Sequence, residues 1–183
     1  MKILAVQNRM GIGDTVIFLP FIKALSEKFN SPISILVKEN SKADQFLFQT
    51  NYIDKIIFLE RGKENKNKHS GFFGSLNLIK DIKKYKFDKI IIFNSSFRFK
   101  LIAKFTGIPE IYQYPLFKKS KQHITDTPKK FIKEKFNLEV NEDPEIQINN
   151  SLISKSIEKF EIKKERINTL LGIGGSGPTK RIP

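Results

Sequence analysis

Residues 2–29 have the sequence KILAVQNRMGIGDTVIFLPFIKALSEKF, and this stretch decides how the rest of the chain is interpreted. The apolar run at residues 2–6 is long enough for a buried strand and too short for a helix. Gly11 and Gly13 bracket a turn, and Asp14 follows where a helix N-cap belongs. A helix N-terminus after a glycine turn attracts anions, although many α/β proteins begin this way without binding a ligand.

An amphipathic helix is predicted directly after this turn, up to Phe29. Its apolar residues recur at helical spacing, so that one face can lie on a sheet; they are Val16, Leu19, Phe21, Ile22, Leu25 and Phe29. Pro20 removes a backbone donor, and we expect it to kink the helix or to restart it there.

Composition limits the class of protein. A length of 183 residues suggests one domain, or one domain and part of another, and 39% hydrophobic residues suffice for a core. The absence of cysteine excludes disulfides and thiolate metal sites. The N-terminal apolar run is too short for a signal peptide, and no run approaches the roughly 18 residues of a membrane span. We therefore expect a soluble, cytoplasmic protein.

The chain is strongly basic, with 33 Lys and Arg against 19 Asp and Glu, a net charge of +14. Such a charge favours phosphorylated substrates, an anionic membrane surface or nucleic acid as partners, or it is simply spread over a solvated surface. Local clusters lie at residues 61–68, 80–89 and 118–121. No nucleic-acid-binding module accompanies them, so no nucleic-acid partner is expected.

Strands and helices are predicted to alternate along residues 32–114. The strands fall at 32–37, 54–59, 89–93 and 110–114, and the helices at 41–50, 72–85 and 97–105. In the second of these helices Phe73, Leu76, Ile79 and Ile82 are predicted to form the apolar face, and the polar stretch 61–70 before it is predicted to be a mobile loop. This order predicts an α/β fold with a Rossmann-like open parallel sheet.

The pattern loosens after residue 115. Residues 118–122 form a basic loop followed by His123, which we interpret as a surface histidine. A helix with Pro128 at its first position is predicted to run to about residue 136, and another spans 151–160. Residues 168–173 then begin a new strand, which leads into a glycine-rich loop at 174–177.

Neither glycine loop matches a familiar nucleotide fingerprint. Val16 occupies a position where a dinucleotide motif requires glycine or alanine, which disfavours a Rossmann-type oxidoreductase. Gly172 and Gly177 have Walker spacing, but Pro178 stands where the lysine should be, which disfavours an ATPase.

Two motifs nevertheless resemble a known family. Residues 9–16, RMGIGDTV, followed by Pro20, resemble the opening S-x-G-D-x-x-x-x-x-P segment of glycosyltransferase family 9, the ADP-heptose:lipopolysaccharide heptosyltransferases and their relatives. Residues 174–183, GGSGPTKRIP, resemble the family's G-A-S-G-P-x-K-R-W-P loop, with Ile182 in place of the usual tryptophan. The resemblance covers essentially the whole chain, whereas family members continue for a second half of comparable length.

The resemblance implies the N-terminal domain of a GT-B glycosyltransferase with the start of the second domain. Residues 1–148 would form the acceptor-side Rossmann-like domain, residues 149–164 a linker helix, and residues 165–183 the beginning of a truncated donor-binding domain. The resemblance further implies that a chain of this length has little or no transferase activity alone.

Asp14 matches the family's general base, which takes the proton of the acceptor hydroxyl as it attacks the anomeric carbon with inversion. A helix N-terminus makes a carboxylate a weak base, which suffices if the hydroxyl becomes acidic only as the new bond forms. The alternative role for Asp14 is a plain N-cap, which contributes about 1 kcal/mol to stability.

The donor site implied by the resemblance comprises Gly11, Gly13, Gly175, Ser176, Gly177 and Lys180. Lys180 and Ser176 match contacts to the donor phosphates, and a lysine offsets the charge that grows on the departing diphosphate. Lys180 could equally be an exposed residue of a frayed tail. The scheme requires neither metal nor cofactor, and no Asp-x-Asp pair suggests a metal.

The function expected from the resemblance is transfer of a heptose-like sugar from a nucleotide-sugar donor, ADP-heptose in the family, to lipopolysaccharide or another anionic glycan. The acceptor would be a phosphorylated glycan or glycolipid, reached by peripheral contact with the inner face of the cytoplasmic membrane. The alternative is a non-catalytic basic domain that binds a polyanion or an anionic membrane surface. The sequence leaves the sugar, the nucleotide, the acceptor and the oligomeric state open.

Overall fold

The computed structural model describes residues 1–9, 11–61, 68–116, 124–163 and 165–169. The chain divides into two compact units, residues 1–147 and 148–183. The first unit is an α/β domain. Several predicted features lie outside the described residues. They are the sites at Gly175, Ser176, Gly177 and Lys180, the part of the strand predicted at 168–173 that lies beyond residue 169, and His123.

Five parallel strands form the sheet of the first unit, in the order β3-β2-β1-β4-β5. They are β1 (Ile3–Val6), β2 (Ile33–Lys38), β3 (Ile53–Leu59), β4 (Lys89–Ile92) and β5 (Glu110–Gln113). The central strand β1 pairs Ile3 with Ile33 on one side and with Lys89 on the other. All four of its residues are buried, as expected for a parallel strand covered on both faces. The predicted Rossmann-like parallel sheet is confirmed.

Helices cover both faces of this sheet. They are α1 (Ile12–Phe29), α2 (Ala43–Phe46), α3 (Gly71–Lys83), α4 (Phe97–Thr106) and α5 (Asp126–Phe136). Helices α1 and α5 pack on one face around a core that includes Ile3 and Ile91, and α3 and α4 pack on the other around Leu4 and Ile92. The faces differ because successive strand residues point to opposite sides.

Aromatic side chains fill much of the α1–α5 core. The Phe93 ring lies 5.3 Å from that of Phe18, 5.8 Å from that of Phe131 and 5.9 Å from that of Tyr114, each centroid to centroid and edge to face. Edge-to-face pairs of this kind stabilise a core beyond their area burial. This cluster joins the end of β4 to α1 and α5.

Three predicted helix boundaries were wrong. The helix α1 begins at Ile12, with Gly11 as its N-cap, so Asp14 lies in the first turn rather than at the cap. It also continues through Pro20 without restarting, so that alternative was wrong, whereas a kink at Pro20 stays a prediction. Helix α5 begins at Asp126, which places Pro128 at the third position instead of the first. The helix predicted over residues 41–50 shortens to a 3₁₀ turn at Glu39–Ser41 and α2 at Ala43–Phe46.

The predicted apolar face of α3 was right for Ile82 and for the partly buried Ile79 but wrong for Phe73 and Leu76. Phe73 is 78% exposed and Leu76 is 44% exposed, whereas Gly74, Leu78 and Ile82 face the sheet. Gly74 occupies the closest approach of α3 to the chain segment before it, because a Cβ there would lie 2.2 Å from the carbonyl carbon of His69. That approach rotates α3 away from the face that its sequence favours.

His69 belongs to the stretch that was predicted to be a mobile loop, yet its side chain is only 2% exposed. Its Nδ1 accepts a hydrogen bond from the Glu60 backbone N–H at 3.1 Å, so the ring proton resides on Nε2 and points to Asp81 Oδ2, 3.2 Å away. Lys68 and Lys84 also bind the Asp81 carboxylate, at 2.5 and 2.7 Å. This cluster ties the segment before α3 to the helix.

We expect Asp81→Asn to destabilise the chain by about 1–3 kcal/mol at pH 7, because it removes charge-assisted hydrogen bonds. Hydrogen bonds from Lys68, Lys84 and His69 hold the pKa of Asp81 well below its usual range. The carboxylate therefore contributes stability that is complete above its unfolded-state pKa of about 3.9 and is lost as the pH falls below that value. Urea unfolding at a series of pH values from about 6 down to about 2 measures this loss.

The matched control is Asp44→Asn, a change at an exposed carboxylate in the first turn of α2. It should leave the acid dependence of unfolding unchanged. If Asp81→Asn and Asp44→Asn have the same acid profile, the Asp81 cluster does not contribute the pH-dependent stability assigned to it.

The second unit contributes one described helix, α6 (Asn150–Lys159). The Asn149 side chain accepts a hydrogen bond from the Leu152 backbone N–H at 2.9 Å and caps its N-terminus. The predicted helix at 151–160 is thus present, displaced by one residue. Among the described helices of the whole chain, none is long and apolar enough to cross a bilayer.

Candidate functional site

The strand order creates a crevice between the carboxyl ends of β1 and β4. From β1 the chain turns through α1 to β2 on one side, and from β4 it turns through α4 to β5 on the other. Because β1 and β4 are neighbours, the two connections diverge from this point, on opposite faces of the sheet. Open parallel sheets bind ligands at such a switch point. Residues 7–9 and 11–14, which follow β1, form one side, and residues 93–96, which follow β4, form the other.

Gln7 organises the β1 side of the crevice. It is 3% exposed, its Nε2 donates to the Asp14 carbonyl oxygen at 3.1 Å, and its Oε1 accepts from the Arg9 backbone N–H at 3.0 Å. Its own backbone N–H donates to the Leu36 carbonyl oxygen on β2 at 3.0 Å. One buried amide thereby holds the loop after β1 against the first turn of α1.

Gly11 sets where α1 starts. Its φ of 106° and ψ of 165° belong to a region that is essentially restricted to glycine. Its carbonyl oxygen accepts hydrogen bonds from the Thr15 backbone N–H at 3.4 Å and from Thr15 Oγ1 at 3.3 Å. The helix therefore begins immediately after the turn, which brings Asp14 into the first turn at the edge of the crevice.

The Asp14 carboxylate is half-buried. Among the residues that the structure describes, none donates a hydrogen bond to it or forms an ion pair with it. A Cβ built on Gly11 would lie 3.9 Å from its Oδ2, so the carboxylate lies over the glycine turn. This unpaired carboxylate at a switch point is able to accept a proton from a bound ligand.

Asn94 and Gln113 line the β4 side. Asn94 Oδ1 accepts from the Ser96 backbone N–H at 2.9 Å, and Gln113 Nε2 donates to the carbonyl oxygens of Asn94 and Ser96 at 3.0 and 2.9 Å. Asn94 Nδ2 and Gln113 Oε1 are buried and have no hydrogen-bond partner within the described part of the chain. One donor and one acceptor on this side therefore have hydrogen-bonding capacity that the described residues do not use.

Tyr114 follows β5 at the same edge and is 8% exposed. Its hydroxyl is buried without a partner among the described residues. Burial raises the pKa of Tyr114, and the nearby positive charge of Arg9 lowers that pKa only in part. The hydroxyl is therefore protonated at neutral pH and can both donate and accept a hydrogen bond.

The predicted site residues are only partly described. Asp14 and Gly11 lie at the crevice, and Gly13 lies in the exposed first turn of α1 with nothing within 4 Å of a Cβ built on it. Donor binding by Gly11 and Gly13 stays a prediction, as do the roles of Gly175, Ser176, Gly177 and Lys180. In the described ranges, no three His, Asp or Glu side chains converge in a way that could hold a metal ion.

None of Gln7, Asn94, Gln113 and Tyr114 was predicted from the sequence to be a site residue. A signal was present, because each is a polar or amphipathic residue at or just after the end of a predicted strand. The carboxyl ends of parallel strands meet at one edge, so these positions could have been selected together.

No protein-family model matches the chain, and no curated protein sequence matches it. Solved structures do. A glycosyl transferase family 9 structure from Veillonella parvula DSM 2008 has a TM-score of 0.71 at 19% identity, covering 100% of this chain and 56% of that one. E. coli ADP-heptose lps heptosyltransferase II has a TM-score of 0.60 at 15% identity, covering 91% and 52%.

The chain thus spans about half the length of each of these two solved structures. At sequence identities this low, the structural similarity establishes only that the fold is shared. The family resemblance inferred from the two motifs is confirmed at that level, and so is the predicted fold class, a Rossmann-like α/β domain of the kind found in GT-B glycosyltransferases.

Proposed function

We propose that this chain is the acceptor-side portion of a glycosyltransferase. It would transfer a heptose-like sugar from a nucleotide-sugar donor, ADP-heptose by resemblance, to lipopolysaccharide or another anionic glycan. The observation that carries the proposal is the Asp14 carboxylate at the switch-point crevice. No residue that the structure describes forms an ion pair with it or donates a hydrogen bond to it. The shared fold with glycosyltransferases of known structure supports it.

The chemistry requires one proton acceptor on the acceptor side. An acceptor hydroxyl attacks the anomeric carbon, the bond from that carbon to the donor phosphate breaks, and a nucleoside diphosphate departs with inversion. Asp14 takes the hydroxyl proton as the new bond forms. The buried, unpartnered polar groups of Asn94, Gln113 and Tyr114 would act on the acceptor sugar through ordered water.

The donor side of the proposal rests on the second motif. Ser176 and Lys180 would contact the donor phosphates, with Gly175 and Gly177 allowing close backbone approach. Residues 1–148 would then be the acceptor domain, residues 149–164 a linker and residues 165–183 the beginning of the donor domain. The scheme includes no metal and no cofactor. We place the protein in the cytoplasm, in peripheral contact with the membrane that carries its acceptor.

The test is a transfer assay on a chain that contains both halves, with ADP-, UDP- and GDP-sugars and phosphorylated glycan acceptors. We expect a mass gain of one sugar on the acceptor and release of nucleoside diphosphate. We expect residues 1–183 alone to bind the acceptor without turnover. A steeply salt-dependent affinity for polyanions, with no transfer from any nucleotide sugar, would instead favour the non-catalytic basic domain.

A further inference from the structure

Helices α3 and α4 lie side by side on one face of the sheet, with their N-terminal ends joined. Arg98 Nε donates to Ser75 Oγ at 2.9 Å, and Arg98 Nη2 donates to the His69 carbonyl oxygen at 2.6 Å. Their inner faces bury Leu78, Ile82 and Ile102 against the strands. The relative rotation of the two helices is therefore set, and with it the residues that they present outward.

The outward surface of this pair carries an unusual amount of apolar area. The large apolar side chains exposed there are Phe72 (77%), Phe73 (78%), Leu76 (44%), Phe97 (54%), Leu101 (39%) and Phe105 (62%). Scattered apolar residues are normal on protein surfaces, but a group of this size on two adjacent helices marks an interaction site.

The same surface is basic. Its exposed lysines are Lys80, Lys83, Lys84, Lys100 and Lys104. The helix α4 has no acidic residue, and the one acid of α3, Asp81, already binds Lys68, Lys84 and His69. We call these six apolar residues and five lysines the Phe–Lys face.

We propose that the Phe–Lys face docks the domain on an anionic membrane surface. Phenylalanine and leucine side chains enter the boundary between headgroups and acyl chains, while lysines contact lipid phosphates. Along α4 the two types alternate closely, in the order Phe97, Lys100, Leu101, Lys104 and Phe105.

Charge distribution distinguishes a membrane from an interface between two copies of this face. A second copy that covered the phenylalanines with its own Phe–Lys face would also bury Lys100 and Lys104, and neither α3 nor α4 has an acid that is free to pair with them. Burying unpaired charges is costly. At a membrane the lysine stems lie along apolar surface while their ammonium groups stay among phosphates and water.

Part of the Phe–Lys face lies at the same edge of the sheet as the crevice. Helices that follow parallel strands begin at the carboxyl edge of the sheet, so Phe72, Phe73 and Phe97 lie at the edge where the crevice opens. Phe97 directly follows Ser96, whose carbonyl oxygen binds Gln113. Docking would hold the crevice at the lipid surface. The inference rests on the membrane contact included in the proposed function and names the surface that makes it, but it does not depend on transfer chemistry.

Flotation of the purified chain with phospholipid vesicles tests the proposal. We expect binding to phosphatidylcholine vesicles containing phosphatidylglycerol and at least about tenfold weaker binding to phosphatidylcholine alone. Phe72→Ser with Phe105→Ser, and separately Lys100→Glu with Lys104→Glu, should each weaken binding at least about tenfold. The matched controls are Phe48→Ser, at a phenylalanine 62% exposed on another surface, and Lys28→Glu with Lys129→Glu.

A fluorescence readout avoids reliance on disruptive variants. The chain has no tryptophan, so Phe105→Trp introduces a single fluorophore on the face and Phe48→Trp a single control fluorophore. Anionic vesicles should shift the emission of the Phe105→Trp variant to shorter wavelength, and brominated lipid should quench it. The emission of the Phe48→Trp variant should not change.

Three results would overturn the proposal. The wild-type chain could fail to bind anionic vesicles. The control charge variants could weaken binding as much as the Phe–Lys variants, which would indicate attraction by net charge alone. Finally, the Phe–Lys variants could abolish self-association or nucleic-acid binding while leaving vesicle binding intact, which would assign the face to a second copy or to a polyanion.

Discussion

Replacing Asp14 with Asn in a chain containing both halves is expected to lower kcat/KM for sugar transfer by about 10²–10⁴-fold, the usual contribution of a general base. The amide keeps the shape of the carboxylate but cannot accept the proton. No described residue pairs with the carboxylate, so the change breaks no ion pair that the structure shows. Its cost to stability should be limited to a helix-dipole contribution of about 0.3–1 kcal/mol.

The control for this experiment is Asp126→Asn, which also removes an acid from the first turn of a helix, α5. It should alter stability to a similar extent and leave kcat/KM unchanged. Initial rates with saturating donor and varied acceptor, together with urea unfolding of both variants, separate the two effects. Transfer by Asp14→Asn at a rate within about threefold of the wild type would remove Asp14 from the role of base.

Gly74→Ala is expected to lower the free energy of unfolding by about 3 kcal/mol or more, at the upper end for overpacking. The added Cβ would lie 2.2 Å from the His69 carbonyl carbon and 2.8 Å from the His69 Cα and carbonyl oxygen. These are backbone atoms, which no rotamer change can move. Relief requires the segment before α3 to shift, which also pulls His69 away from Asp81 and from the Glu60 backbone N–H.

Gly13→Ala provides the comparison, because nothing lies within 4 Å of a Cβ built on Gly13 in the first turn of α1. Alanine there should stabilise the chain by up to about 1 kcal/mol through helix propensity. Urea midpoints of the two variants measure the difference. Equal stability of Gly74→Ala and the wild type would show that α3 does not approach His69 as closely as the structure indicates.

Much of the architecture was readable from local pattern. Apolar runs predicted β1 and β4, and the helix predicted over 97–105 is present as α4, which ends at Thr106 with Gly107 in the left-handed conformation as its C-cap. The strand, turn and helix around Gly11 and Asp14 were likewise predictable, because glycine conformations and apolar spacing act between residues close in the chain.

The remaining features depend on contacts between distant residues. The burial of His69 depends on Asp81 and Glu60, and the polar lining of the crevice depends on Gln113 meeting Asn94 across neighbouring strands. The exposure of Phe73 and Leu76 follows from the contact of Gly74 with the His69 backbone, which rotates α3. Local patterns therefore predicted most of the strands and helices and placed Asp14 near the start of α1. Strand order and helix rotation, which arise only when the elements pack, assembled the crevice and left the Phe–Lys face exposed.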